Sequence, residues 1–242
     1  MVKVYYLMHS SFVVELSDRY LLFDYFDKGD LEGSIDYRGC LPDFDINKPI
    51  YVFASNGRKD HFTEKIFDIP NVKKYILSKD VKVKRGKVDK SMLQSVKALR
   101  KYDIDDMKLE TLRSNDVGVA FSLTVKDINI YFAGTLNWWN AEGRGELYGE
   151  QYGREYRRYL KPILNRKYDI AFVPMDGRMG EDGYFLGMDY FIKHIDSDTI
   201  FPMNMWGEYQ WISRFKTRPD TINLNDRIVD IDRENMIFEI ED

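Results

Sequence analysis

The sequence predicts a layered α/β chain of the α+β kind, and three observations carry that prediction. Short apolar runs rich in β-branched and aromatic residues open the chain and return between residues 108 and 132. Helical spacing is concentrated in later segments, chiefly Glu146 to Leu164 and Gly187 to Ile195. Several buried-looking runs end abruptly in clusters of polar residues, the pattern of rigid strands that present loops at the edge of a sheet.

In chain order, Val2 to Met8, Phe12 to Leu16 and Tyr20 to Tyr25 read as three strands, with Ser17-Asp18-Arg19 as a turn. His9 sits in the first connection and reads as a structural histidine bonded to backbone in preference to a ligand. Residues 27 to 48 are polar, carry Gly, Asp and Pro, and read as a loop able to fold over a site. The stretch Ile50 to Phe62 opens on a short apolar, β-rich run and then crowds Ser55, Asn56, Gly57, Arg58, Lys59, Asp60 and His61 at its C-terminal end. Thr63 is placed to cap a short helix to about Phe67. Val72 to Leu77 reads as a strand, and Lys90 to Tyr102 as a helix on the spacing of Met92, Val96 and Leu99. Lys108 to Leu112, Val117 to Val125 and Ile128 to Phe132 form a second group of strands, and Gly134-Thr135-Leu136-Asn137-Trp138-Trp139 follows directly.

The helical segment from Glu146 carries Tyr148, Tyr152, Tyr156 and Tyr159 on one stripe, read as a packing face that would also suit a lid or dimer contact. Ile170 to Pro174 and Thr199 to Pro202 are expected as buried strands, each ending in polar residues: Asp176 with Arg178, and Asn204. Asp176 and Arg178 either line a pocket or form a turn aspartate beside an exposed arginine. The two tryptophans either wall a pocket for an apolar or sugar-like ligand or pack the second sheet. Arg227 to Glu239 is expected to supply closing strands.

The loop Asn56 to His61 resembles the signature loop of the metallo-β-lactamase superfamily, His-x-His-x-Asp-His. Gly134-Thr135 resembles its Gly-Asp, and Pro202-Met203-Asn204 resembles the Pro-Met-His of a bacterial branch distantly related to ascorbate-phosphate lactonases. The resemblance implies a four-layer αββα sandwich of two mixed sheets flanked by helices, as one domain over residues 1–242. It also implies a metal-dependent hydrolase whose ligand positions are largely replaced. Asn56 and Arg58 stand for the first two histidines, Thr135 for the bridging aspartate and Asn204 for the last histidine; only Asp60 and His61 keep the ligand type.

Neutral oxygens suit zinc poorly, and a guanidinium brings a fixed positive charge to the place of a dication. The expected cofactor is therefore none, with one zinc or manganese at Asp60 and His61, helped by Asp176, as the alternative. One physical account puts Arg58 in the vacated space, paired with Asp60, while Asn56, Thr135 and Asn204 complete a hydrogen-bond network. The expected function is a non-catalytic protein that binds a ligand or partner, with a small anion or sugar phosphate as the ligand. The alternative is a hydrolase of phosphorylated sugar lactones or related esters, working with one metal or with His61 as general base.

Composition narrows the rest. At 242 residues the chain can bury a substantial core, and 44% hydrophobic with 31% charged residues is ordinary for a globular chain. A net charge of −4 argues against a nucleic-acid partner. Lys79, Lys82, Lys84, Arg85, Lys87 and Lys90 cluster around Gly86, read as a solvated turn guarding a sheet edge rather than a phosphate grip. The single cysteine, Cys40, excludes an internal disulfide and is expected as a buried or half-buried structural thiol. No apolar run reaches the roughly 18 residues of a membrane span, and no leader pattern opens the chain, so a cytoplasmic protein without membrane contact, free to form homo-oligomers, is expected.

Overall fold

A computed structural model describes residues 1–31 and 39–240, so part of the expected 27–48 loop, residues 32–38, lies outside the described residues. The chain divides into two compact units, Met1–Lys97 with Arg233–Asp242, and Ala98–Asp232. In chain order the first unit supplies β1 (Val2–Met8), β2 (Ser11–Glu15), β3 (Tyr20–Phe23), β4 (Ile50–Ala54), β5 (Val72–Ser78) and β6 (Leu93–Val96). The second supplies β7 (Arg100–Ile104), β8 (Met107–Arg113), β9 (Val119–Val125), β10 (Ile128–Phe132), α1 (Glu146–Leu160), β11 (Lys167–Pro174), α2 (Leu186–His194), β12 (Asp196–Met203) and α3 (Gln210–Lys216). The chain then returns to the first unit with β13 (Met236–Ile240).

Each unit is built on one mixed sheet. The first runs β13-β1-β2-β3-β4-β5-β6, and the second β12-β11-β10-β9-β8-β7. In the first, β1, β2 and β3 form an antiparallel meander, after which β4, β5 and β6 add in parallel. All residues of β3 and β4 are buried, as their unbroken apolar runs demand of central strands covered on both faces. Phe23 and Phe53, paired across β3 and β4, stack at 4.8 Å. The edge strand β13 alternates half-buried and exposed residues, as a strand covered on one face does.

This topology has one consequence for function. The alternation of direction in the meander brings the C-terminal ends of β1, β3 and β4 to the same edge of the sheet. In the second unit β10, β11 and β12 are mutually parallel, with Phe132 opposite Phe172 and Pro174 opposite Met203, so their exits also share an edge.

The expected helix over Lys90 to Tyr102 is not formed. A 3-10 turn at Lys90–Met92, capped by the Asp89 side chain, leads into β6, and Leu99 adopts a left-handed φ of 59° before β7. The three apolar residues were too sparse to define a helical face, and backbone pairing along β5 decides the conformation instead. Of the expected closing strands only β13 forms, preceded by a 3-10 turn at Ile222–Arg227 and a bridge from Ile228 to Ile200. Cys40 is exposed rather than buried, on a loop where its backbone N–H donates to Asn235 Oδ1 at 3.0 Å. None of the described helices is long and apolar enough to cross a membrane.

A polar knot fastens the base of the meander. Glu15 accepts from Tyr5 Oη at 2.6 Å and from Lys48 Nζ at 2.7 Å, and Tyr20 Oη lies 3.3 Å away. Burial works to raise this carboxyl, but Lys48 and then Tyr5 outweigh it and hold it below its ordinary range. A depressed carboxyl stabilises the fold above its unfolded pKa, and that contribution is lost as pH falls through the folded value. Glu15→Gln is therefore expected to cost about 1–2 kcal/mol at pH 7. The melting-temperature gap to the wild type should close below about pH 4, near the unfolded carboxyl value.

Candidate functional site

Two strand exits of the first unit meet at one buried carboxylate. Asp24, directly after β3, is fully buried with a left-handed φ of 44°. Its Oδ1 accepts from the Ser55 N–H at 2.6 Å and its Oδ2 from Ser55 Oγ at 2.6 Å, joining the end of β3 to the end of β4. The same Oδ2 meets His61 Nδ1 at 2.6 Å. A left-handed non-glycine residue persists only where its surroundings hold it, and here two backbone bonds do so: Asp24 N–H to Phe53 O and Ser11 Oγ to Asp24 O.

Burial pushes the Asp24 carboxyl up, against its donors. Burial also opposes a charge on the His61 ring, yet Asp24 and then Asp60 outweigh it and raise the imidazole above its ordinary range. The Ser55 N–H can only donate, so Asp24 Oδ1 is an acceptor, while the His61 ring meets the other oxygen.

With Nδ1 engaged, His61 turns Nε2 toward Asp60, whose Oδ2 lies 3.7 Å away. On the other side of that oxygen, at 3.4 Å, is Nε2 of His9. The structural role that sequence suggests for His9 is therefore incomplete. Its backbone N–H does bond Tyr6 Oη at 2.9 Å, but its ring, 1% exposed, belongs to a cluster of His9, Asp60 and His61. Burial works to raise the Asp60 carboxyl, and His9 and His61 overcome it, holding it well below the usual carboxylate range. Sequence carried one signal for His9 that was not used: it follows β1, whose exit lies on the same sheet edge as those of β3 and β4.

The remaining candidates in this loop do different work. Asn56 is buried, but Oδ1 accepts from the Arg58 N–H at 2.9 Å and Nδ2 donates to Ser55 Oγ at 3.1 Å, so both ends serve the turn. Arg58 is exposed. The account that fills the cation's place with Arg58 beside Asp60 gives way here, because imidazoles face that carboxylate.

In the second unit Thr135, Asp176 and Asn204 follow the three parallel strands β10, β11 and β12. Thr135 Oγ1 donates to Val117 O at 2.7 Å and lies 3.1 Å from Ser114 Oγ. Asp176 is buried and caps the turn at Gly177–Met179. Its oxygens also receive Arg178 Nε at 2.9 and 3.1 Å, and the Arg178 guanidinium lies 5.1 Å over the Trp206 ring. This is the turn-aspartate reading of the pair. Asn204 has a φ of 64° and a buried Oδ1 without a hydrogen-bond donor among the described residues. Trp138 packs against the glycine face of α1, donating Nε1–H to Gly149 O at 2.9 Å, while Trp139 donates to Thr135 O at 3.0 Å.

Asp24→Ala should leave the Ser55 N–H and His61 Nδ1 buried without their acceptor. The expected loss is about 3–5 kcal/mol, as for a broken buried ion pair, read as a melting temperature lower by about 6–20 °C. Asp24→Asn, which keeps an acceptor for Ser55, should lose less.

No family model matches the chain, and no curated protein matches it by sequence. Solved structures do. Igni18, a metallo hydrolase from the archaeon Ignicoccus hospitalis, aligns with a TM-score of 0.60 and 13% identity over 99% of both chains. The metallo-β-lactamase fold protein YhfI from Bacillus subtilis gives 0.60 and 10% identity, over 99% of this chain and 100% of that one. The isothiocyanate hydrolase from Delia radicum gut bacteria gives 0.56 and 13% over 98% and 99%. Identities this low speak for the fold, and with nearly complete coverage on both sides they show that this chain has the metallo-β-lactamase fold.

Proposed function

We propose that this chain does not carry two-metal hydrolytic chemistry and acts as a binding protein for a small anionic ligand, such as a sugar phosphate, at the loop from Asn56 to His61. One observation carries the reading: at two of the four replaced ligand positions, Asn56 and Thr135, the side chain is committed to the protein's own hydrogen bonds. Asn56 serves its turn at both ends, Thr135 is bonded to Val117 and Ser114, and Asp176, the candidate extra carboxylate, is held by Arg178. A donor set of this kind does not fit a dinuclear centre, which needs imidazoles and carboxylates free to coordinate. Exposed Arg58 and Lys59 at the tip of the same loop supply the charge for an anion. The cytoplasmic location expected from the sequence belongs to this reading.

A second reading is a metal-free or one-metal hydrolase, favoured by the hold of Asp24 on His61 Nδ1, which aims Nε2 as a positioned base would be aimed. The two separate in one pair of experiments. Phosphorylated lactones and esters are offered with and without zinc, manganese or chelator, and sugar phosphates are titrated calorimetrically. The binding reading expects no turnover above the protein-free rate and an affinity that falls at least tenfold in Arg58→Ala. Turnover abolished by His61→Ala would overturn it in favour of the hydrolase.

A further inference from the structure

We infer that His9, Asp60 and His61 form a site for one divalent transition-metal ion, in which His9, from outside the signature loop, joins the two ligand-type residues within it. One donor atom from each residue lies within 4.8 Å of the other two, and Nε2 of each imidazole is the nitrogen nearest Asp60 Oδ2. Two atoms bound to one such ion at about 2.1 Å cannot stand more than about 4.2 Å apart, and in a tetrahedral site they stand about 3.4 Å apart. The carboxylate oxygen lies 3.4 Å from one imidazole nitrogen and 3.7 Å from the other. Both pairs fall within that limit, and the two imidazoles, whose donor atoms lie within 4.8 Å of each other, need only a small side-chain shift to meet it.

Three further features support coordination over a simple cluster of charges. Both imidazoles present Nε2 toward the carboxylate, the orientation two ligands of one ion require. Asp24 receives His61 Nδ1 at 2.6 Å, the carboxylate–histidine arrangement that fixes the tautomer and orientation of a metal-binding ring. The backbones are also pinned: Ser10 Oγ donates to Asp60 O at 2.7 Å, and His9 holds a left-handed φ of 56° with its N–H on Tyr6 Oη. Two imidazoles and one carboxylate favour zinc, manganese, iron or cobalt over magnesium and calcium, which prefer all-oxygen cages. Three protein ligands leave a position open for water or an anion.

The site does not depend on the ligand-binding reading, since turnover would overturn that reading and leave this site in place. The test uses the full chain, freed of metal with chelator and titrated with Zn2+ or Co2+ alone. One equivalent should bind, and X-ray absorption of the zinc-loaded wild type should show two imidazoles and a carboxylate oxygen. His9→Gln, its fold checked by circular dichroism, should weaken binding at least tenfold. Asp24→Asn should weaken it about 10–100-fold through His61. Absence of binding, two equivalents, a spectrum with a single imidazole, or unchanged affinity in a folded His9→Gln would each overturn the inference. The wild-type spectrum keeps it falsifiable if His9→Gln fails to fold.

Discussion

The first unit depends on the burial of one carboxylate. Asp24 receives the Ser55 N–H, the Ser55 hydroxyl and the His61 ring on its two oxygens, and no water replaces these donors at a side chain with no exposed surface. That constraint ties the end of β3 to the exit of β4 and sets the direction of His61. The orientation of His61 then decides what Asp60 faces, and the left-handed turn at His9 brings a second imidazole to the same oxygen. A carboxyl buried this completely is tolerated when hydrogen-bond partners meet both of its oxygens, and the neighbouring serine engages it through both backbone and side chain.

The loops carry two kinds of polar side chain. Asn56, Thr135 and Asp176 satisfy local backbone and side-chain partners and act as parts of turns. His9, Asp60 and His61 face one another across distances longer than most hydrogen bonds, held by a carboxylate behind them. The fold accommodates both because strand exits at a sheet edge fix backbone positions and leave the side chains free to change.

Much of the architecture was legible because buried strands write themselves as uninterrupted apolar runs. β1, β3, β4, β5, β10 and β11 lie close to where the pattern put them, and the polar residues that end them are the ones at the sheet edges. The segment from Lys90 to Tyr102 was misread because three apolar residues at helical spacing also fit strands that pair with a neighbour. Cys40 was misread because a lone cysteine carries no periodicity, and its loop is bonded to Asn235, far away in the chain.

What the sequence by itself determined was local: which runs form strands, which residues punctuate them, and that Asn56, Arg58, Thr135 and Asn204 are poor metal ligands by their chemistry. What only the tertiary structure decided was which of these residues face which. His9, Asp24 and Asp60 are separated by 15 and 36 positions, and sheet pairing alone brings them around His61. Propensity and residue chemistry act along the chain and can be read there. The direction of a buried side chain is set by partners from other strands, so it appears only once the strands are paired.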